Sequence, residues 1–178
     1  LVSELRDALV EAALGILETG TDLSLRAAAR AAGVSAMAPY RHFADKAALL
    51  SAIADRGFAA LYDRLAEADA RPDPHEALLG QGLAYIAFAR DRPALFRLMF
   101  ADPHAMPNKT QRPPAYDVMA RRVAALAPDD PDSAALACWS LVHGMAMLML
   151  DGRLAALPPD QERRTIGLFV SGLGRPPT

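Results

Sequence analysis

The stretch Ser24-Leu25-Arg26-Ala27-Ala28-Ala29-Arg30-Ala31-Ala32-Gly33-Val34-Ser35-Ala36-Met37-Ala38-Pro39-Tyr40-Arg41-His42-Phe43-Ala44-Asp45-Lys46-Ala47-Ala48-Leu49 reads as two short helices, a tight turn and the start of a long helix. Ser24 suits a helix cap, and the pattern predicts a helix through Arg30 with Leu25, Ala28 and Ala29 facing inward. Ala32 and Gly33 break it, and glycine supplies a backbone conformation that side chains disfavour. Ser35 suits the cap of a second short helix, roughly to His42, with Pro39 in its first turns, where a missing amide costs least. Asp45 suits the cap of a long helix in which Leu49, Leu50, Ile53, Gly57, Phe58, Leu61, Tyr62 and Leu65 recur at helical spacing.

Two short helices joined by a glycine turn are the core of a helix-turn-helix. Ala29 must be small for the second helix to cross nearby, and Val34 plugs the space between the two. The second helix keeps short side chains on its outer face and can enter a major groove.

Working outward, Leu5, Leu9, Ala12, Ala13, Ile16 and Leu17 share one face of a first helix that Gly20 ends. Arg71-Pro72-Asp73-Pro74 is a breaker. Beyond it the pattern predicts helices over about 75–90, 93–100, 115–127, 133–150 and 160–172, with an exposed loop over 102–114. No stretch alternates as a strand. The expected fold is all-α with about nine helices: a three-helix head (residues 1–46), whose helix-turn-helix suits DNA, joined by the long fourth helix to a helical second domain (residues 47–178).

The composition excludes other classes. At 52% hydrophobic residues the chain is not disordered. Apolar stretches are broken by charge or proline before about 18 residues, so no membrane span is expected. Glu4, Arg6 and Asp7 do not suit a signal peptide. One cysteine, Cys138, allows neither a disulfide framework nor a cysteine zinc site, and fits a reduced, cytoplasmic setting. His42, His75, His104 and His143 lack metal-ligand spacing. No phosphate-binding glycine loop or nucleophile motif is present, so no catalytic residue, metal or cofactor is expected. The net charge of −2 does not itself announce a nucleic-acid partner; the position of charge on the folded surface decides that.

With its order of helix, turn, aromatic-x-x-Phe, charged cap and long helix, the run from Ser24 to Leu49 resembles the TetR family of bacterial regulators. The resemblance is dense over residues 5 to 50. It implies that Ser24 and Arg26 touch phosphate or a nearby base, and that Ser35, Ala36, Met37 and Ala38 open the reading helix. Tyr40 and His42 then pack on the sugar-phosphate backbone, and Lys46 meets a phosphate at the start of the long helix. There are departures. Ala36 and Met37 stand where many members have lysine and glycine, and Pro39 where an apolar residue is usual. The reading helix therefore offers few hydrogen-bonding side chains, which shifts weight to Arg26 and Arg41 or to DNA shape. The basic arm that often precedes the first helix is absent from this stretch. Tyr40 and Phe43 can instead be core aromatics, the better reading for Phe43, and Lys46 and Arg30 plain solvated charges.

A second run, Trp139-Ser140-Leu141-Val142-His143-Gly144-Met145-Ala146-Met147-Leu148-Met149-Leu150-Asp151-Gly152-Arg153-Leu154, resembles the C-terminal domain of one branch of that family, in which a tryptophan and a His-Gly pair recur. The segment is apolar nearly all round, so both sides must be buried. With the last helix (Ile166, Leu168, Phe169, Val170, Leu173) it forms, by the family arrangement, a four-helix homodimer interface, with Gly144 and Ala146 allowing close approach. Two heads related by a two-fold axis read an inverted repeat. Phe58, Tyr62, Tyr85, Phe88, Phe96, Met99, Phe100, Met119, Trp139, His143 and Met147 are candidates to line a pocket for an apolar or aromatic effector, although aromatic and methionine stripes are more often plain core. Repression relieved by effector binding is the family default. A helical adaptor that binds protein is the alternative; it leaves the Ser24–Lys46 constellation unexplained.

Overall fold

The computed structural model describes residues 2–101, 114–154 and 157–173. Among these, the elements are α1 (Val2–Glu18), α2 (Leu25–Ala31), a 3₁₀ turn (Pro39–Arg41), α3 (Lys46–Asp69), α4 (Pro74–Asp91), α5 (Pro93–Ala101), α6 (Pro114–Leu126), α7 (Pro131–Leu150) and α8 (Pro159–Val170). The described residues contain no strand, so the fold is all-α, as the pattern predicts. The expected loop over 102–114 lies outside the described residues except for Pro114, which opens α6.

The helix boundaries have local causes. Ser24 Oγ accepts from Ala27 N–H at 3.1 Å, Asp45 Oδ1 from Ala48 N–H at 2.8 Å, and Asp130 Oδ1 from Ser133 N–H at 3.2 Å. Each satisfies an amide that the first helical turn leaves without a partner. Prolines open α4, α5, α6, α7 and α8, where the missing N–H costs nothing. Past α2, Gly33 takes φ +69°; Gly33 N–H donates to Arg30 O and Val34 N–H to Ala29 O. This crossed pair of bonds is a Schellman stop, and it needs a residue at ease with positive φ.

The reading segment differs from the expected short α-helix. Ala38 N–H donates to Ser35 O, Arg41 N–H to Ala38 O and His42 N–H to Pro39 O, so the segment is a turn running into 3₁₀ geometry. Pro39 has no N–H to continue an α-helical ladder back to the Ser35 carbonyl, and the chain tightens instead.

By packing, the described residues form two units. One comprises those of Leu1–Phe58 and Arg92–Gln111; the other those of Ala59–Asp91 and Arg112–Thr178. In the first, α1 packs on α2 and α5, and Leu9, Ala13, Ala28, Ala29, Leu49, Ile53, Leu95, Phe96 and Met99 are buried. Gly57 lets α3 and α5 approach: a Cβ there would lie 2.5 Å from Met99 Sδ and 2.9 Å from Leu95 Cδ1. In the second, α4 packs on α6, α7 and α8 around Leu78, Ile86, Val123, Cys138, Met145 and Ile166. Burial pushes the Cys138 thiol up to about 12, so it stays protonated and serves as a small core residue.

The premise that charge or proline breaks every apolar stretch before about 18 residues does not hold for α7. α7 is 20 residues long and contains an 18-residue window with a mean hydropathy of 1.6, which is long and apolar enough to cross a membrane by those two measures. Asp132 is its lone carboxylate and lies in the first turn, so no charge interrupts the run that follows. The core helix of a soluble protein passes the same test. Within that window 28% of the residues are buried by the chain itself.

Candidate functional site

The first candidate surface is the outer side of the α2–turn–α3 segment. Leu25, Ala28, Ala29, Pro39, Phe43 and Leu49 are buried, and that fixes which side chains face out. Ser24, Arg26, Ser35, Ala36, Met37, Tyr40, Arg41 and Lys46 are exposed; Ala38 and His42 are half-buried. Met37 is 66% exposed and Tyr40 44%. Phe43, by contrast, is core: Arg6 of α1 lays its guanidinium 5.4 Å from the centre of its ring. Of the two aromatic residues, then, Tyr40 is available to a partner and Phe43 is not.

The polar chemistry of this surface is cationic and hydroxylic. Ser24 Oγ accepts the capping bond from Ala27 N–H, and its own O–H is left to donate elsewhere. Lys46 is the first residue of α3, directly after the Asp45 cap. Arg26, Arg41 and Lys46 carry charge that a phosphate backbone attracts. Between Ser35 and Pro39 there is no donor side chain. Such a surface can hold a duplex by its backbone with few hydrogen bonds to base edges.

The second candidate site is aromatic, and the sequence-derived residues fall into two groups. In the first packing unit, Phe58 meets Phe100 edge-on at 5.4 Å, Phe96 lies 4.8 Å from Phe100, and Met99 is buried beside Gly57. In the second, Tyr85 Oη lies 2.8 Å from His143 Nδ1, Trp139 lies 5.9 Å from His143, and Tyr116 meets Trp139 edge-on at 5.7 Å. Met119 belongs to the same core cluster as Tyr116, with Trp139 packed against it. Arg64 covers the Phe88 ring at 5.3 Å and pairs with Asp91. Tyr62 is exposed and Met147 half-buried.

Burial lowers the His143 pKa below its ordinary value, so the ring is neutral at pH 7. Burial also raises the Tyr85 phenol well above its usual range, partly offset by a hydrogen bond from Trp139. Trp139, Tyr85 and His143 therefore form a neutral hydrogen-bonded series in which Trp139 donates to Tyr85. It is a polar spot in an apolar surround, the composition expected of an apolar-ligand site.

Sequence reasoning missed Tyr116. Its position three residues before Met119 on one helical face was the available signal. It also missed a polar tie at the end of α3. Asp69 accepts from Gln81 Nε2 at 2.7 Å and from Arg122 Nε at 2.5 Å. Arg122 also donates to the Asp69 carbonyl at 2.6 Å, so one carboxylate pins α3 to α4 and α6. No local pattern announces contacts this far apart in the chain.

Comparison with known proteins agrees with both halves. Residues 9–53 match the family model described as bacterial regulatory proteins, tetR family. Residues 78–166 match the tetracyclin repressor-like C-terminal domain. No curated protein matches the chain. A solved structure from Rhodococcus sp. RHA1, described as a protein with unknown function, is 31% identical with a TM-score of 0.81, covering 96% of each chain. A tetR-family regulatory protein from Rhodococcus RHA1 is 22% identical with a TM-score of 0.68, covering 97% of this chain and 98% of that one. The TetR-family regulator PfmR of Thermus thermophilus is 20% identical with a TM-score of 0.67, covering 96% and 98%. With family models matching its N-terminal and C-terminal parts and a relative 31% identical along nearly its whole length, the chain belongs to the tetR family of bacterial transcription regulators.

Proposed function

We propose that the protein is a cytoplasmic repressor that binds an inverted-repeat operator as a homodimer and releases it when an apolar or aromatic effector binds. In this reading residues 1–46 contact DNA, and residues 47–178 take the effector and dimerise. The observation that carries it is the outward set Ser24, Arg26, Ser35, Met37, Tyr40, Arg41 and Lys46, held on a segment in which Leu25, Ala28, Ala29, Pro39 and Phe43 are buried. Ser24, Arg26, Arg41 and Lys46 anchor the phosphate backbone. Ala36, Met37 and Ala38 approach the base edges, and Tyr40 and His42 pack on sugar and phosphate.

Dimerisation is supported by α7 and α8. Leu136 (56% exposed), Ser140, Gly144 and Leu148 (48%) follow one face of α7, and Leu168 on α8 is 77% exposed. Gly144 has open space around its Cβ position. Ala146, expected beside it, is fully buried within its own chain and belongs to the core instead. Large exposed leucines on two adjacent helices suit a second copy placed by a two-fold axis.

Effector coupling runs through α3. Its first residue, Lys46, faces DNA in this reading, and its last, Asp69, is held by Gln81 and Arg122. An effector seated by Tyr85, Trp139 and His143 shifts α4 and α7, then α3, and changes the spacing of the two reading turns. The test is a thermal-shift screen of aromatic and apolar small molecules, followed by operator affinity with each hit. A hit that stabilises the protein must also weaken operator binding. A tight-binding hit that leaves operator affinity unchanged contradicts the coupling.

A further inference from the structure

We infer that Met37 reads a thymine methyl group, so that operator choice depends on a thymine C5-methyl at one position in each half-site. This rests on the DNA-binding reading above and makes it more specific.

Met37 is among the few large apolar side chains that the described residues leave exposed, and with Tyr40 it is one of two on the reading turn. Its neighbours cannot read bases by hydrogen bonding. Ala36 and Ala38 end at Cβ, and Pro39 is buried and lacks an N–H. A thioether has no donor and only a weak acceptor. In the major groove each base pair shows donors and acceptors, which Met37 cannot satisfy, and thymine adds a C5-methyl, which it can cover. Against cytosine N4 or adenine N6 the same side chain would desolvate a donor and return only a weak N–H···S contact. The unbranched chain can also adjust its rotamer to reach the methyl. Leu136, Leu148 and Leu168, also exposed, lie on α7 and α8 and are accounted for by the proposed dimer.

The experiment starts with duplexes enriched from a random-sequence pool by the folded full chain. Each thymine of an enriched duplex is then replaced by uracil, which removes only the methyl, and affinity is measured. One thymine per half-site should show a loss of about fourfold, and about fifteenfold when both half-sites are changed. The loss should disappear in Met37→Gln and persist in Met37→Leu. Met37 is exposed, so both variants keep the fold. Uracil tolerated at every thymine, or equal sensitivity in Met37→Gln, overturns the inference while leaving operator recognition intact. If the folded chain enriches no duplex at all, the DNA-binding reading falls and this inference falls with it.

Discussion

Tyr85 Oη and His143 Nδ1 lie 2.8 Å apart, joining α4 to α7 through a pair that burial keeps neutral. The phenol and the ring nitrogen share one hydrogen bond, whose donor is set by the His143 tautomer. Because burial lowers the folded-state pKa of His143 below 6.5, the unfolded chain takes up a proton at this group before the folded one does. The stability it contributes is present above about pH 6.5 and falls as pH drops through the folded pKa. Thermal midpoints measured between about pH 7.5 and pH 5 should decline less steeply in His143→Gln than in the unmodified chain. Tyr85→Phe should cost about 1 kcal/mol by urea unfolding, because the imidazole loses its hydrogen-bond partner.

Gly33 is under conformational constraint with no steric one. Its φ is +69°, yet nothing lies within 4 Å of where a Cβ would stand. Gly33→Val should therefore destabilise by about 1–2 kcal/mol through backbone strain alone. Gly15, within α1 and equally unobstructed, carries no such φ. Gly15→Ala should stabilise by about 0.5–1 kcal/mol. Opposite signs at two unobstructed glycines, read by urea unfolding, separate conformation from packing.

Lys46 is exposed at the start of α3, so its removal should not disturb the fold. Lys46→Ala should weaken binding to operator and random duplex about equally. It should also flatten the dependence of log affinity on log salt by about 0.9 for each phosphate the lysine no longer neutralises. Fluorescence anisotropy at several salt concentrations reads both.

Leu168 projects from α8 at 77% exposure, and Leu136 from α7 at 56%. Leu168→Glu and Leu136→Glu should each raise the dimer dissociation constant roughly tenfold or more, with the far-ultraviolet helical signal unchanged. Sedimentation equilibrium gives the answer. A dimer constant unmoved by both would place the interface elsewhere.

The head was legible because its determinants are local. Ser24, Gly33 and Asp45 each act on amides within a few residues, and all three do what their residue types imply. Pro39 was legible as a residue but not in its effect. Its missing N–H turns the expected reading helix into a 3₁₀ turn, an outcome that depends on how Pro39 and Phe43 are buried. The packing of α5 on α1 could not be read at all, since it joins helices far apart in the chain, and α5 also depends on the space Gly57 leaves for Met99. The aromatic candidates were read from the sequence as one class. Their separation into a phenylalanine group around Phe100 and a polar group around His143 follows from tertiary packing, which helical periodicity does not encode.

The most direct test of the account is binding of the purified chain to duplex fragments from its own gene neighbourhood across a salt series. The account predicts that one fragment is retained at low salt and released as salt rises, and that protection mapping on it shows an inverted repeat. A well-folded dimer that binds none of those fragments at any salt would contradict it.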